Sequence, residues 1–263
     1  MSAKGWGRSD LSASRGQRRA HPGAPQVADQ LSTRRLDWPA VEGGVTGIPW
    51  RCCGLDEVGR GALAGPLVAA AVVLPDDMRE RLGDLAPFLR DSKTVPLARR
   101  TQVADLLLTH ALIVEVVVIS VDDINARGIG WANGEAFRRL IGLVRADEYI
   151  VDGRVRPPAP SKRSSRVRCL VDADALVPAV SAASLVAKVH RDAIMAGLHA
   201  RHAVYGWATN VGYGTPAHLH ALRAHGPCAE HRRQFVATAL GLEGGAPRRA
   251  PRPATIAELR TGD

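Results

Sequence analysis

Residues 67–74, LVAAAVVL, are eight successive apolar side chains, several of them β-branched, closed by Pro75. A short run of this kind bounded by a turn signal is a buried strand. Immediately ahead of it stands GLDEVGRGALAGP (54–66), in which Asp56 and Glu57 sit side by side. Carboxylates next to a core are costly to bury unless something cationic meets them. The stretch 52–74 therefore reads as two strands joined by a glycine turn, a hairpin whose first strand ends in two acids.

The following segments alternate. Residues 97–112 have helical spacing of their apolar positions, 113–121 (IVEVVVISV) form a strand, 131–146 an amphipathic helix, and 148–153 (EYIVDG) a strand reaching a turn. The longest helix is expected over 180–202. A shorter one opens at Thr215, with Pro216 at its first position, and stops at Gly226-Pro227. Alternation of strands and helices gives an α/β architecture, and the hairpin makes the sheet mixed. The segment 154–168, RVRPPAPSKRSSRVR, holds six Lys/Arg and no acid, and reads as a loop between strands that either grips a duplex backbone or is simply solvated.

With 263 residues and 46% hydrophobic content the chain buries a sizeable core. Residues 1–50 and 244–263 are rich in Gly, Pro and Arg without periodicity and read as disordered extensions, leaving 51–243 as the folded domain. The net charge of +9 and pI near 10.1 favour a polyanionic partner. The tails carry surpluses of three and two, so the domain keeps +4. Cys52, Cys53, Cys169 and Cys228 show no metal-finger spacing and are expected as reduced thiols of a cytoplasmic protein. No apolar stretch approaches the roughly 20 residues a bilayer requires, so no membrane association is expected.

Four acids fall at singular places. Asp56 and Glu57 end the first strand, Asp152 ends another, and Asp192 lies within the long helix. Asp152 before Gly153 also reads as a turn residue, and Asp192 as an exposed helix acid. In that helix Ser184, Lys188 and Asp192 are spaced i, i+4, i+8 and line one face beside an apolar stripe. Two carboxylates about 4 Å apart repel by roughly 4 kcal/mol at an effective dielectric near 20. If these acids converge, they need cations, and all-carboxylate oxygen ligation selects Mg²⁺ or Mn²⁺. A carboxylate-held metal pair suits phosphodiester hydrolysis. The residues alone lead to a metal-dependent phosphodiesterase.

Six blocks in order now carry a resemblance: GLDEVGRGALAGPLVAAAVVL (54–74), DSK (91–93), VDG (151–153), SAASLVAKVHRD (181–192), GYGTPAHL (212–219) and HRRQF (231–235). Over residues 51–243 the chain resembles ribonuclease HII, the type 2 ribonuclease H. The departures are modest: Val58, Ala62, Ala173 and Gln234 stand where that family more often has other residues, and none touches the four acids.

The resemblance implies an RNase H-like fold, a mixed central sheet flanked by helices with a C-terminal helical part. It implies that Asp56, Glu57, Asp152 and Asp192 bind two divalent ions, Mn²⁺ or Mg²⁺. Expected substrates are RNA–DNA hybrids and duplex DNA containing a single ribonucleotide. The cut falls 5′ of the ribonucleotide and leaves a 3′-hydroxyl and a 5′-phosphate. Gly59, Arg60 and Gly61 resemble the family's ribose-reading loop, where the main chain approaches a 2′-hydroxyl. Tyr213 matches the tyrosine that packs on the sugar at the junction. Lys93, Ser184 and Lys188 are expected phosphate contacts, and the enzyme is expected to act as a monomer. Two other readings keep the scaffold: a DNA nuclease of RNase H fold, and a non-catalytic nucleic-acid-binding protein.

Overall fold

The computed structural model describes residues 52–85, 97–154, 157 and 166–242. The hairpin comprises β1 (Cys53–Val58) and β2 (Leu67–Val73), paired antiparallel from Cys53↔Val73 to Val58↔Val68. After α1 (Met78–Leu82) and α2 (Leu97–His110), strand β3 (Ile113–Ile119) pairs antiparallel with β2. Helices α3 (Val121–Arg127) and α4 (Ile129–Leu143) lead to β4 (Glu148–Asp152) and β5 (Arg166–Leu170). β4 runs parallel to both β1 and β5, giving a mixed sheet of order β3-β2-β1-β4-β5. The chain continues through α5 (Ala173–Leu176), the long α6 (Pro178–Arg201), a 3₁₀ turn (Ala203–Tyr205), α7 (Trp207–Asn210), α8 (Pro216–His225) and α9 (Arg233–Leu240).

Both faces of the sheet are covered. Leu55, Ala69, Val117, Tyr149 and Val151 project to one side, against Ala132, Ala136, Phe137 and Leu140 of α4. Val68, Ala70 and Val72 project to the other, against Val103 and Leu107 of α2 and Ala182, Leu185 and Val186 of α6. This two-sided burial is why 67–74 carries no polar alternation. Helix α6 lies directly on β1: a Cβ added to Gly54 would stand 2.1 Å from the main-chain carbon of Ala179. That contact fixes how closely the helix carrying Ser184, Lys188 and Asp192 rides over the strand carrying Asp56. A third cluster, with Leu63, Met195, Leu198, Trp207, Leu222 and Val236, joins the end of α6 to the C-terminal helices.

The expected elements are present, with three corrections. The helix expected over 131–146 is α4, Ile129–Leu143, and an unexpected helix, α3, precedes it: Ser120 caps α3 by accepting from the Asp123 N–H, and Gly128 (φ +84°) separates α3 from α4. Part of the expected loop 154–168 is strand: Arg166–Leu170 is an edge strand with Val167 buried and Arg166 and Arg168 outward. At Ala173, one of the departures from the family, the turn forms with the preceding Asp172 at φ +56° ahead of α5. Thr215 caps α8 as expected, its hydroxyl accepting from the His218 N–H at 3.3 Å. All four cysteines are free. Among the described residues no helix is long and apolar enough to cross a membrane.

Candidate active site

Strand register brings the first acids together. Leu55 of β1 pairs with Val151 of β4, so Asp56 and Asp152 are the next residues along two adjacent parallel strands. Each is an even step from residues on the α6 side, Gly54 and Ile150, and therefore shares their face. Asp56 is 6% exposed. Its Oδ1 accepts the Glu57 N–H at 2.8 Å, and it hydrogen-bonds the Ser184 side chain of α6. Burial pushes the Asp56 carboxyl up to about 7; the Ser184 hydrogen bond opposes this, while the charges of Glu57 and Asp152 add to it.

Glu57 is also raised, first by burial and then by Asp152, with Arg60 acting the other way. Arg60 meets it from the surface, Nη1 to Oε1 at 3.6 Å. Asp152 is held by the Ala173 N–H, which donates to Oδ1 at 2.8 Å. The start of α5 thus orients the acid at the end of β4. Asp192 sits one turn beyond Lys188 on α6, and the Lys188 ammonium donates to both its oxygens. Three of the four acids thus act on one another electrostatically, while the fourth is paired along its own helix. Among the described residues, no three acids, histidines or cysteines stand close enough as a group to hold a metal ion. The donors nevertheless suit a divalent ion in kind, being hard carboxylate oxygens, and in charge, since burial first and the acidic neighbours second raise the Asp56 carboxyl.

The loop after β1 turns at Gly59, with φ +87°. A Cβ there would meet the Arg191 Nε at 2.1 Å, so both backbone and packing demand glycine. Arg60 and Gly61 beyond it are exposed. Tyr213 is half-buried, with its ring centroid 5.5 Å from the Arg191 Cζ. Its N–H donates to the Asn210 carbonyl at 2.8 Å, and its own carbonyl lies 2.9 Å from the His218 Nδ1. Ser184 and Lys188, expected at phosphates, are engaged by Asp56 and Asp192 in this structure. Lys93 lies outside the described residues.

The family model for ribonuclease HII matches residues 53–238. The chain belongs to the ribonuclease HII family. A ribonuclease HII of Burkholderia thailandensis is 46% identical over 186 residues, spanning 70% of this chain and 82% of the relative. One from Acidovorax sp. strain JS42 is 42% identical over 215 residues, 81% of this chain and 94% of that one. Among solved structures, the ribonuclease H2 of Pyrococcus horikoshii superposes with a TM-score of 0.60 at 24% identity, covering 73% of this chain and 97% of the other. A ribonuclease HIII solved in complex with Mn²⁺ gives 0.52 at 19% identity, covering 74% and 71%. These two fix the fold as RNase H-like. As a family member the chain is an endoribonuclease, a phosphodiester hydrolase of the ribonuclease H type.

Two residues that sequence reasoning missed bind carbonyls of the loop that follows β1. Arg191 and Arg232 are fully buried. Arg191 donates to the carbonyls of Pro66 (3.0 Å), Val211 (2.8 Å) and Ala64 (3.0 Å). Arg232 donates twice to the Gly65 carbonyl (2.9 and 2.8 Å) and once to that of Arg60 (3.1 Å). Below them Trp207 donates to the His218 Nε2, which lies 3.1 Å from the His231 Nε2. The signal was available for Arg232 in HRRQF and for Arg191 seven residues after Ser184, almost in line with it on the helix.

Proposed function

We propose that this protein cleaves the RNA strand of RNA–DNA hybrids and nicks 5′ of single ribonucleotides in duplex DNA, with Asp56, Glu57, Asp152 and Asp192 as its metal-binding and catalytic acids. The observation that carries the reading is the buried Asp56 carboxyl, pushed up to about 7 while crowded by Glu57 and Asp152 beneath the helix that bears Asp192. Such crowding is tolerable near neutral pH only with cations close by. Those four side chains would hold Mg²⁺ or Mn²⁺, which when bound supplies an activated water and neutralises charge on the leaving 3′-oxygen.

The protein's own groups position the substrate. The loop at Gly59–Gly61, exposed at Arg60 and Gly61, offers its main chain to a 2′-hydroxyl, the group that distinguishes RNA from DNA. Tyr213, at the rim near Arg191, packs on the sugar beside the junction. Lys188, Ser184 and Lys93 contact phosphates, which fixes register without reading sequence. The 51–243 domain acts as a monomer in the cytoplasm.

The test compares matched duplexes with one ribonucleotide and with none, across Mg²⁺, Mn²⁺ and chelator. Cleavage confined to the ribose-containing duplex and dependent on a divalent ion is expected, with products ending in 3′-hydroxyls. Asp192→Asn should lose turnover by orders of magnitude with an unchanged melting curve. Near-normal turnover would remove Asp192 from the site, and cutting of the all-DNA duplex would mark a DNA nuclease instead.

A further inference from the structure

The two buried arginines hold the carbonyls of the loop that follows β1. Between them Arg191 and Arg232 bind the carbonyls of Arg60, Ala64, Gly65, Pro66 and Val211. Main-chain bonds complete the seam: Leu63 N–H to Gly212 O (2.8 Å), Gly65 N–H to Glu230 O (2.9 Å) and Arg232 N–H to Leu63 O (2.8 Å). Segments 59–66, 210–213 and 228–232 are therefore locked together, though they are far apart in sequence.

The position of Arg232 is itself set from outside. Asn125 of α3 donates through Nδ2 to the His231 carbonyl at 3.1 Å and accepts the Arg233 N–H on Oδ1 at 2.8 Å. One amide thus grips the chain on both sides of Arg232. A relay runs from Asn125 through the backbone at 231–233 and the Arg232 guanidinium to the carbonyl of Arg60, in the middle of the glycine loop.

We propose that Arg232 and Asn125 are positioning residues that hold the 59–61 loop in its ribose-reading shape, and so set the preference for a 2′-hydroxyl; this rests on the functional reading above. A planar guanidinium reaches Gly65 and Arg60 together, which an ammonium does not. Neither residue is one of the acids, so the relay acts on recognition more than on bond cleavage.

The experiment uses the full chain with Asn125→Ala and Arg232→Lys. Cleavage is followed on duplexes carrying one ribonucleotide or one 2′-fluoro nucleotide at the same position. Loss of a hydrogen-bond partner corresponds to about a tenfold effect. Each variant should therefore lower the hydroxyl-over-fluoro ratio of kcat/KM about tenfold, mainly through KM, with an unaltered pH profile of kcat. Amide exchange should accelerate at Leu63 and Gly65 and stay unchanged in β1 and β4. Folded variants with the ratio and the exchange both unaltered would overturn the proposal, as would equal losses on both duplexes. If the wild type nicks neither duplex, the ribonucleotide reading fails by itself. The exchange arm then decides alone: faster exchange confined to 59–66 upholds the positioning role, and none refutes it.

Discussion

Asp56→Asn tests the electrostatics of the site without an activity assay. The Asp56 carboxyl is almost wholly buried, and burial with two acidic neighbours raises it from 3.8 to about 7. The folded protein therefore binds this proton more tightly than the unfolded chain does. The corresponding stability is fully present below about pH 3.8 and is lost as pH rises through about 7. About three decades of difference in proton affinity, at about 1.4 kcal/mol each, come to about 4 kcal/mol at pH 8. Asparagine has nearly the same shape, keeps an oxygen for the Glu57 N–H, and carries no charge. In chelator at pH 8 the variant should be more stable than the wild type by up to about 4 kcal/mol, and the gap should close near pH 4. Urea unfolding across that range, with midpoint and slope fitted separately, measures it. A variant equal to or weaker than the wild type at pH 8, or a difference that ignores pH, would refute the reasoning. Adding Mn²⁺ should then stabilise the wild type more than the variant, because only the wild type keeps its full donor set.

Gly54→Ala places a methyl 2.1 Å from the Ala179 main chain and should destabilise by about 3 kcal/mol, seen as a lower urea midpoint; a neutral result would mean α6 rides less closely on β1. Burial and the neighbouring His218 hold the His231 imidazole down to about 4, so its contribution to stability is lost as pH falls from 6.5 through about 4. An NMR titration should find this ring neutral at pH 5, and protonation near 6.5 would contradict the buried placement. Tyr213→Ala should weaken cleavage at a lone ribonucleotide while leaving thermal unfolding nearly unchanged, and full retention of cleavage would end its sugar-packing role.

What was legible in the sequence was what local periodicity encodes. The β1–β2 hairpin, α6 and the Thr215-Pro216 start of α8 follow from runs, helical spacing and capping chemistry that need no distant partner. β5 was not legible, because as an edge strand it buries little beyond Val167 and its two outward arginines continue a basic run. Helix α3 was not read from the sequence, being only seven residues long between the Ser120 cap and Gly128, too short for helical periodicity to show. The convergence of Asp56 with Asp152 needed the parallel β1–β4 pairing, which joins residues about a hundred positions apart. The ordered blocks supplied that grouping through resemblance, where the residues alone stopped at a phosphodiesterase.

The buried arginines were missed for a different reason, and their placement bears on function. A guanidinium is costly to bury unless its donors are satisfied, and here the satisfaction comes from five carbonyls on separated segments. Seven residues after Ser184, Arg191 falls on the inner line of α6, yet its neighbours Lys188 and Asp192 made that line look like a polar rim. If Asp56, Glu57 and Asp152 served the fold, a fully buried Arg191, next in sequence to Asp192, would be their natural counter-charge. Instead both internal guanidinium groups are directed to main-chain oxygen. Among the described residues Glu57 pairs with the exposed Arg60 at 3.6 Å, and Asp56 remains above the ordinary carboxyl range. The fold spends its internal positive charge on shaping a loop and leaves its acids short of cations. That division is unfavourable for an isolated fold and intelligible for one whose acids receive their positive charge from solution.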